Sequence, residues 1–479
     1  MLLRHILGFA PSNLVPALVS FVIIYVFTRL LAPANYGVYA LVYNVAFISQ
    51  GILAFWLRTG STRFYDKAQK EGTLAPLIST MYTSYGVSAL LFSLIYVVLM
   101  LAFPVSEHLR TALWLGLPFI VIKGFVTVNL GVHRGAGRIK RYNLLECGQT
   151  VLGLLFSIAL VFWFGMKEEG ILLGLIGGSL LAALMDIPFV LRSIRPAFDR
   201  DQFRLLATFG APLTISVILN LVLSTSDRIL IEYFLGSAPV GIYSVSYGIV
   251  SQPMMLIFLA VSMPGLPLAI RALELNGTKA AKEQMGRNGV ALFALGIPAC
   301  VGLIAVMHHL AAVLIGEEYR ADALEIMPWI AISGFLAGLQ VHYFDHAFTL
   351  GRRPKMLIRS IGLAAAVNVV LNIILLPRIG LMGAVYATFI SYIVAIAASI
   401  YFGRDVFRVP FPREAALKAT LAAVPMWLVL SQLRFPETLP GLLGMVICGG
   451  ATYVAAAFML NIGDARKKLW QRLVRGQAA

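Results

Sequence analysis

Apolar segments of about 20 residues recur along the whole chain, and short polar loops separate them. An α-helix of that length crosses the roughly 30 Å hydrocarbon core of a bilayer, because each residue adds about 1.5 Å. Charged residues make up only 13% of the sequence, about half of the roughly 25% that is usual in soluble domains. A membrane barrel would show alternating strands of about 10 residues, and the sequence has none. The pattern therefore predicts an all-α polytopic membrane protein.

Hydropathy and turn residues divide the chain into about fourteen transmembrane helices. The predicted helices span 11–31, 37–57, 78–103, 111–131, 143–165, 170–191, 208–233, 240–263, 287–307, 323–349, 356–377, 381–403, 415–433 and 440–461. The loops between them are short, so we expect no domain outside the membrane.

Basic residues are concentrated in the loops that follow even-numbered helices and at the two chain ends. The loop after the fourth helix, for example, carries Arg134, Arg138, Lys140 and Arg141. The loops on the other side contain only Arg29, Arg110, Lys167, Arg320, Arg378 and Arg434. By the positive-inside rule this asymmetry predicts that both termini are cytoplasmic. The net charge of +16 is thus a topology signal, and we expect no nucleic-acid partner.

The chain repeats itself at a nearly constant offset. TRLLAPANYGVYALVY at 28–43 resembles DRILIEYFLGSAPVGIYSVSY at 227–247, and Gly37 aligns with Gly241 at an offset of 204 residues. HRGAGRIKRYN at 133–143 likewise resembles TLGRRPKMLIR at 349–359, and Gly170 aligns with Gly380. Three matches in the same order indicate that the first and second sets of six helices are related.

These matches predict three parts: an N-terminal six-helix bundle at 1–204, a second six-helix bundle at 205–408, and two further helices with a basic tail at 409–479. Because each bundle has an even number of helices, both start from the same side of the membrane and the repeats are parallel. Repeats of this kind occur in transporters whose two halves rock around a central site, which is the alternating-access mechanism.

RLLAPANYGVYALV and DRILIEYFLGSAPVGIYSVSY resemble the polysaccharide-transporter (Wzx-type flippase) family, within the superfamily of the MATE exporters and lipid II flippases. The resemblance extends over the whole chain in helix number and repeat plan, and it implies a MATE-like fold. It further implies a flippase that moves undecaprenyl-pyrophosphate-linked oligosaccharides to the outer leaflet of the bacterial inner membrane, for lipopolysaccharide or exopolysaccharide synthesis. A polysaccharide polymerase and chain-length machinery would then be partners. The resemblance implies no cofactor and leaves coupling to H⁺ or Na⁺ open.

A few charged side chains lie within the predicted membrane segments, where each costs about 2.5–3.5 kcal/mol on insertion scales. Lys123, near the middle of the fourth helix, either faces a cavity that attracts an anionic headgroup or fixes helix packing through a hydrogen bond. Arg228 is a second candidate for the cavity surface. Asp227, beside it, either pairs with a basic residue across the bundle or binds a coupling cation. The two point about 100° apart on their helix and do not face each other squarely.

Arg58 and Arg63 lie at the inner end of the second predicted helix. The resemblance implies that arginines from the early helices line an inner cavity. The planar guanidinium group can bind two phosphate oxygens at once. A role in topology alone is equally open for both. We also expect Asp186 and Glu146 to pair with nearby arginines, and Asn368 and Asn372 to form interhelical hydrogen bonds.

Other classes of function are less consistent with the sequence. The chain has no P-loop, and its three cysteines are far apart, so we expect neither ATP hydrolysis nor a metal site. His342, Asp345 and His346 form an HxxDH set. Its two histidines, at i and i+4, share a helix face and could bind a metal or relay protons, but no third ligand is in sight. A membrane glycosyltransferase or polymerase would need an acidic catalytic loop outside the membrane, so we predict a non-enzyme. A MATE-type cation-coupled exporter and a lipid II flippase remain the alternatives, and the excess of deep basic charge favours an anionic substrate.

Overall fold

A computed structural model describes residues 8–102, 105–193, 198–464 and 466. Within these residues the chain is helical and has no β-strand. Arg4, Arg195 and four cations of the predicted basic tail (Lys467, Lys468, Arg472 and Arg475) lie outside the described residues.

The chain forms two compact units, residues 1–241 and 242–479. The first unit contains α1 to α7 and the first turn of α8. The helices are α1 (Pro11–Leu30), α2 (Pro33–Lys70), α3 (Leu74–Ala102), α4 (Glu107–Gly135), α5 (Ile139–Phe164), α6 (Glu168–Ser193) and α7 (Arg200–Leu235). The predicted boundary at 204/205 divides the chain by its sequence repeat, whereas the two compact units are divided by their internal contacts. The predicted boundary therefore stays a prediction.

The remaining helices belong to the second unit, apart from the start of α8. They are α8 (Ser237–Leu314), α9 (Glu317–Leu339), α10 (His346–Leu350), α11 (Pro354–Ile379), α12 (Leu381–Gly403), α13 (Arg413–Gln432) and α14 (Leu439–Met459). A π-helical turn at Gln340–Phe344 joins α9 to α10.

Thirteen helices of the described chain are long and apolar enough to cross a membrane. The fourteenth predicted span is contained in α8, whose 78 residues would extend about 117 Å as a straight helix. Gly277 interrupts this helix with φ 78° and ψ −176°, a conformation that glycine adopts without steric cost. The predicted helices 240–263 and 287–307 therefore lie on either side of this break.

Several helix ends lie beyond the predicted ones, because hydropathy marks the apolar part of a helix and not its hydrogen-bonded end. We predicted that α2 ends at residue 57, and it continues to Lys70. Arg58 and Arg63 are therefore helical residues and do not belong to a loop. Similarly, α7 begins at Arg200 instead of residue 208.

In the first unit, α2 packs against α4 and α7, and α5 packs against α6. Leu57, Leu77, Ile120 and Leu206 belong to one buried apolar cluster that joins α2, α3, α4 and α7. In the second unit α11 packs against α12, and α13 packs against α14. The small residues Ala419, Ala422 and Ala423 let α13 approach its neighbours closely.

Candidate functional site

A cavity of about 310 Å³ lies within the first unit, between α2, α4, α5 and α7. Its lining residues are Tyr43, Phe47, Gln50, Gly51, Phe55, Arg58, Phe119, Lys123, Thr127, Leu130, Glu146, Val217 and Leu221. Most of them come from α2 and α4, so these two helices determine the character of the cavity.

Helical spacing explains how two helices supply most of the lining. On α2, Tyr43, Phe47, Gln50 and Arg58 recur at intervals close to whole turns, which places them on one face. On α4 the lining residues Phe119, Lys123, Thr127 and Leu130 follow the same rule. Each of these faces combines aromatic or aliphatic residues with one cation.

The helices α2 and α4 are in close contact beside the cavity. A Cβ atom at Gly131 of α4 would lie only 2.8 Å from the Cα of Arg58. Thr62 of α2 donates a hydrogen bond from Oγ1 to the carbonyl oxygen of Gly131, at 3.1 Å. This contact fixes Arg58 against α4, the helix that carries Lys123.

Three charged side chains line the cavity: Lys123, Arg58 and Glu146. Arg58 donates from Nη2 to the hydroxyl of Tyr142 at 3.1 Å, and Glu146 accepts a hydrogen bond from Gln149 at 2.7 Å. Among the described residues, the Lys123 ammonium has neither a hydrogen bond nor an ion pair within direct reach. Two cations face one carboxylate, so the cavity has a net positive charge.

The structure thus brings together two of the candidate residues, Lys123 and Arg58, and places the other three elsewhere. Arg63 is exposed on the extension of α2 and does not line the cavity. Asp227 and Arg228 are buried on α7, with 0% and 5% exposure, and the cavity contacts α7 at other residues. The Nη1 of Arg228 donates to the carbonyl oxygen of Ser224 at 2.7 Å. The functional roles of all five residues stay predictions.

The two membrane-segment acids of the early helices behave differently from each other. Asp186 is fully buried and pairs with the Nε of Arg141 at 3.0 Å and with the Nε2 of His133 at 2.9 Å. The predicted arginine pairing is confirmed for Asp186. It is wrong for Glu146, which has no arginine ion pair within the described chain and lines the cavity instead. Sequence reasoning missed this because the sequence does not show which side of α5 faces the cavity.

The residues His342, Asp345 and His346 are not among the described groups whose ligand atoms lie close enough to hold one metal ion. The His342 ring stacks on Phe258 with centroids 6.2 Å apart, whereas His346 Nε2 lies 3.3 Å from the hydroxyl of Ser262. Phe258 and Ser262 lie one turn apart on α8, so both histidines face the same helix, as expected from their spacing, although a π-helical turn at Gln340–Phe344 precedes His346.

Asn368 and Asn372 form hydrogen bonds within and between helices. Asn372 is bonded to the carbonyl oxygen of Asn368 at 2.9 Å, and Asn368 reaches the Thr388 hydroxyl on α12 at 3.5 Å. Both asparagines are fully buried. The predicted interhelical hydrogen bonding is thus confirmed for Asn368, whereas the bond of Asn372 described here lies within α11.

One group of side chains with metal-ligating atoms lies at the opposite end of the first unit from the basic α4–α5 loop. Ligand atoms of His108, Glu168 and Glu169 lie within 4.8 Å of one another. However, His108 Nε2 is already 2.9 Å from Glu168 Oε1, and Asn35 donates to Glu168 Oε2 at 2.8 Å. These side chains therefore form a polar contact that joins the first turns of α2, α4 and α6.

Comparison with solved structures shows the fold of this chain. The lipid II flippase MurJ in its inward closed conformation matches with a TM-score of 0.77 at 14% identity, over 95% of this chain and 98% of that one. An inward-facing multidrug resistance MATE transporter of the MOP superfamily matches with a TM-score of 0.68 at 15% identity, over 84% and 97%. A MATE transporter from Vibrio cholerae matches with a TM-score of 0.55 at 16% identity, over 84% and 96%. The predicted MATE-like fold is confirmed.

Comparison of sequences gives the family. No curated protein matches the chain. A family model described as polysaccharide biosynthesis protein matches residues 2–269, more than half of the sequence. The chain is therefore a multi-pass membrane protein that belongs to the polysaccharide biosynthesis protein family.

Proposed function

We propose that this protein is a flippase for polyprenyl-pyrophosphate-linked oligosaccharides, which it moves from the cytoplasmic to the outer leaflet by alternating access. The observation that carries the proposal is the cavity between α2 and α4, where Lys123 and Arg58 outnumber Glu146. A pyrophosphate diester bears a negative charge on each phosphate, so it complements this cavity. Membership of the polysaccharide biosynthesis family supports an oligosaccharide as the group that the pyrophosphate carries.

The two cations suit different parts of such a headgroup. Arg58 is held by Tyr142, which leaves other guanidinium donors for a planar, two-point contact with phosphate oxygens. Lys123 offers a compact charge without a direct partner in the described chain. The aromatic rings of Tyr43 and Phe119, stacked with centroids 6.1 Å apart, add flat apolar surface against which a sugar ring can pack.

The rest of the proposal follows from topology. The basic loops support an orientation with both termini in the cytoplasm of a bacterium and the chain in its inner membrane. An inside-negative potential then favours outward movement of the anion by about 2.3 kcal/mol per charge per 100 mV. Return of the empty carrier is coupled to H⁺ or Na⁺, with the buried Asp227 as the candidate acid. A polymerase and chain-length machinery would use the delivered oligosaccharide.

The proposal is tested by export of lipid-linked oligosaccharide in cells that lack the native gene. Lys123→Ala and Arg58→Ala should each reduce export by about tenfold or more, as expected for loss of one charge-assisted contact of about 1.5–3 kcal/mol. Lys123→Arg should retain more activity than Lys123→Ala, because it keeps the charge. Lys70→Ala is the matched control, since Lys70 is an exposed cation on the same helix α2 and lies outside the cavity.

Normal export by both Ala variants, at protein levels equal to those of the control, would refute the cationic-cavity mechanism. A second candidate substrate is lipid II, favoured by the TM-score of 0.77 with the lipid II flippase. It carries the same pyrophosphate. Accumulation of lipid II, and not of the oligosaccharide lipid, in depleted cells would select that alternative. A MATE-type export of cationic drugs is disfavoured by the net positive cavity.

A further inference from the structure

A second cavity, of about 1010 Å³, lies in the second unit where α12 ends. Four cations line it: Lys282 from α8, Arg404 and Arg408 from the segment after α12, and Arg413 at the start of α13. No acidic residue is among its described lining residues. We name these four residues and the cavity between them the basic pocket.

The charge of the basic pocket is hardly compensated by the protein. Arg404 Nε lies 3.4 Å from Asp405 Oδ2, but these side chains are 55% and 81% exposed, and such surface pairs are weak. Within the described residues, Lys282, Arg408 and Arg413 have no ion pair. Cations gathered this closely without counter-charges repel one another, so a bound anion would stabilise the pocket.

An apolar stripe on α12 leads directly into the basic pocket. Ile390, Ile393 and Ile400 are 38%, 45% and 51% exposed, and Ala397 between them is also exposed. Their spacing of three or four residues places them on one helix face. The ten helical steps from Ile390 to Ile400 span about 15 Å, which is half of the roughly 30 Å hydrocarbon core. The stripe therefore has the length of one acyl chain in one leaflet.

An aromatic ring marks the junction between the stripe and the pocket. Tyr401 is 56% exposed, and the Arg404 guanidinium carbon lies 4.2 Å from its ring centroid. Tyrosine is enriched at the level of lipid headgroups because its ring is apolar and its hydroxyl is polar. The order along α12 is thus apolar stripe, interfacial tyrosine and basic pocket, which is also the order of acyl chain, glycerol and phosphate in a phospholipid.

We propose that the basic pocket and the stripe form a binding site for an anionic phospholipid, such as phosphatidylglycerol, with its phosphate in the pocket and one acyl chain along α12. Basic pockets between transmembrane helices at the membrane surface are suited to anionic headgroups. A zwitterionic lipid is a poor ligand, because its ammonium group would approach the four cations. This site is separate from the cavity of the first unit and does not depend on the proposed transport activity.

The test is native mass spectrometry of the full-length protein released from vesicles that contain equal amounts of phosphatidylglycerol and phosphatidylcholine. Wild-type protein should retain phosphatidylglycerol, whereas Arg404→Gln/Arg408→Gln/Arg413→Gln should retain about tenfold less. The matched control is Arg271→Gln/Lys355→Gln/Arg359→Gln, which removes three exposed cations outside the pocket. We expect the control to retain as much phosphatidylglycerol as the wild type. Equal lipid loss in both triple variants would overturn the proposal, because general surface charge would then account for binding.

Two further experiments distinguish a lipid phosphate from free phosphate and provide for a triple variant that does not fold. Inorganic phosphate at millimolar concentration should not displace the lipid, and complete displacement would overturn the proposal in favour of a simple phosphate site. If the triple variant does not fold, Lys282→Gln and Arg408→Gln are measured singly, and each should lower retention about threefold. Unchanged retention in both single variants would also overturn the proposal. Oligosaccharide export is not read in any arm, so failure here leaves the proposed function unaffected.

Discussion

Within the first unit, the first turn of α8 contacts the first turns of α2, and replacement of the glycines at this contact, Gly37 and Gly241, should be costly. Gly37 lies in the first turns of α2 and Gly241 in the first turns of α8. A Cβ atom at Gly37 would lie 1.8 Å from the carbonyl oxygen of Ser237, and one at Gly241 would lie 2.2 Å from the carbonyl oxygen of Pro33. Each glycine thus faces the backbone of the other helix's first turn, and neither position has room for a methyl group.

The size of the effect follows from the atoms that would collide. A carbonyl oxygen belongs to the helix backbone and cannot rotate away as a side chain can. The two helix starts would have to move apart, which would also loosen the packing of Tyr36 and Tyr39, each only 5% exposed. Overpacking of this kind typically costs about 1–3 kcal/mol. We expect Gly37→Ala to lie at the upper end of that range, because the backbone cannot yield.

The assay is thermal unfolding of the purified protein in detergent, and Gly86→Ala is the matched control. Gly86 is also inside a helix of the first unit, and a Cβ atom there would meet nothing within 4 Å. Because alanine favours a helix over glycine by about 1 kcal/mol, the control should be as stable as the wild type or more stable. Gly37→Ala should unfold several degrees below it.

The double variant gives an independent check on the same contact. Once Gly37→Ala has separated the helices, Gly241→Ala should add less than its own single cost, with a coupling of at least about 0.5 kcal/mol. A Tm for Gly37→Ala equal to that of Gly86→Ala, or strictly additive costs in the double variant, would refute the reasoning.

Two other predictions concern buried charges. Asp186→Ala should destabilise the protein by about 3–5 kcal/mol, because it leaves Arg141 and His133 without their carboxylate. Asp186→Asn should cost less. Equal Tm values for the two variants would contradict this prediction. His108→Ala removes a partner 2.9 Å from the fully buried Glu168, so the Tm should fall. Adding Glu168→Gln should restore part of the loss, and no recovery in the double variant would argue against an unpaired charge as the cause.

The sequence predicts the helices well because crossing a membrane imposes a length and an apolar composition that can be read residue by residue. It predicts their ends poorly. The extension of α2 to Lys70 depends on backbone hydrogen bonds that continue into polar sequence. The continuation of α8 as far as Gly277 is equally invisible to hydropathy, although the Asn-Gly pair there is a turn signal.

The sequence identifies two residues of the candidate site but not how they are arranged. Lys123 and Arg58 each stand out in the sequence, one by depth and the other by resemblance, but nothing in the sequence shows that they share a cavity. That depends on the close contact of α2 and α4 at Gly131. Glu146 was missed because the side of α5 that faces α4 is set by helix packing. The sequence predicts Arg228 at the cavity because it is a charged residue deep in a membrane segment. In the structure it is charged and deep, but it is buried on α7 and does not line the cavity.

The charge balance of the cavity suits the proposed transport cycle. With Lys123 and Arg58 alone, a pyrophosphate would be neutralised completely and held strongly in a site shielded from water. Glu146 on the same wall reduces the charge that the protein presents, so the bound headgroup keeps some negative charge. A transporter must release what it binds, and binding stronger than needed for loading slows release. The membrane potential acts only on net charge, and a complex that stays partly negative is still driven outward. In the proposed function, one carboxylate beside two cations would therefore allow both capture of the anion and its release.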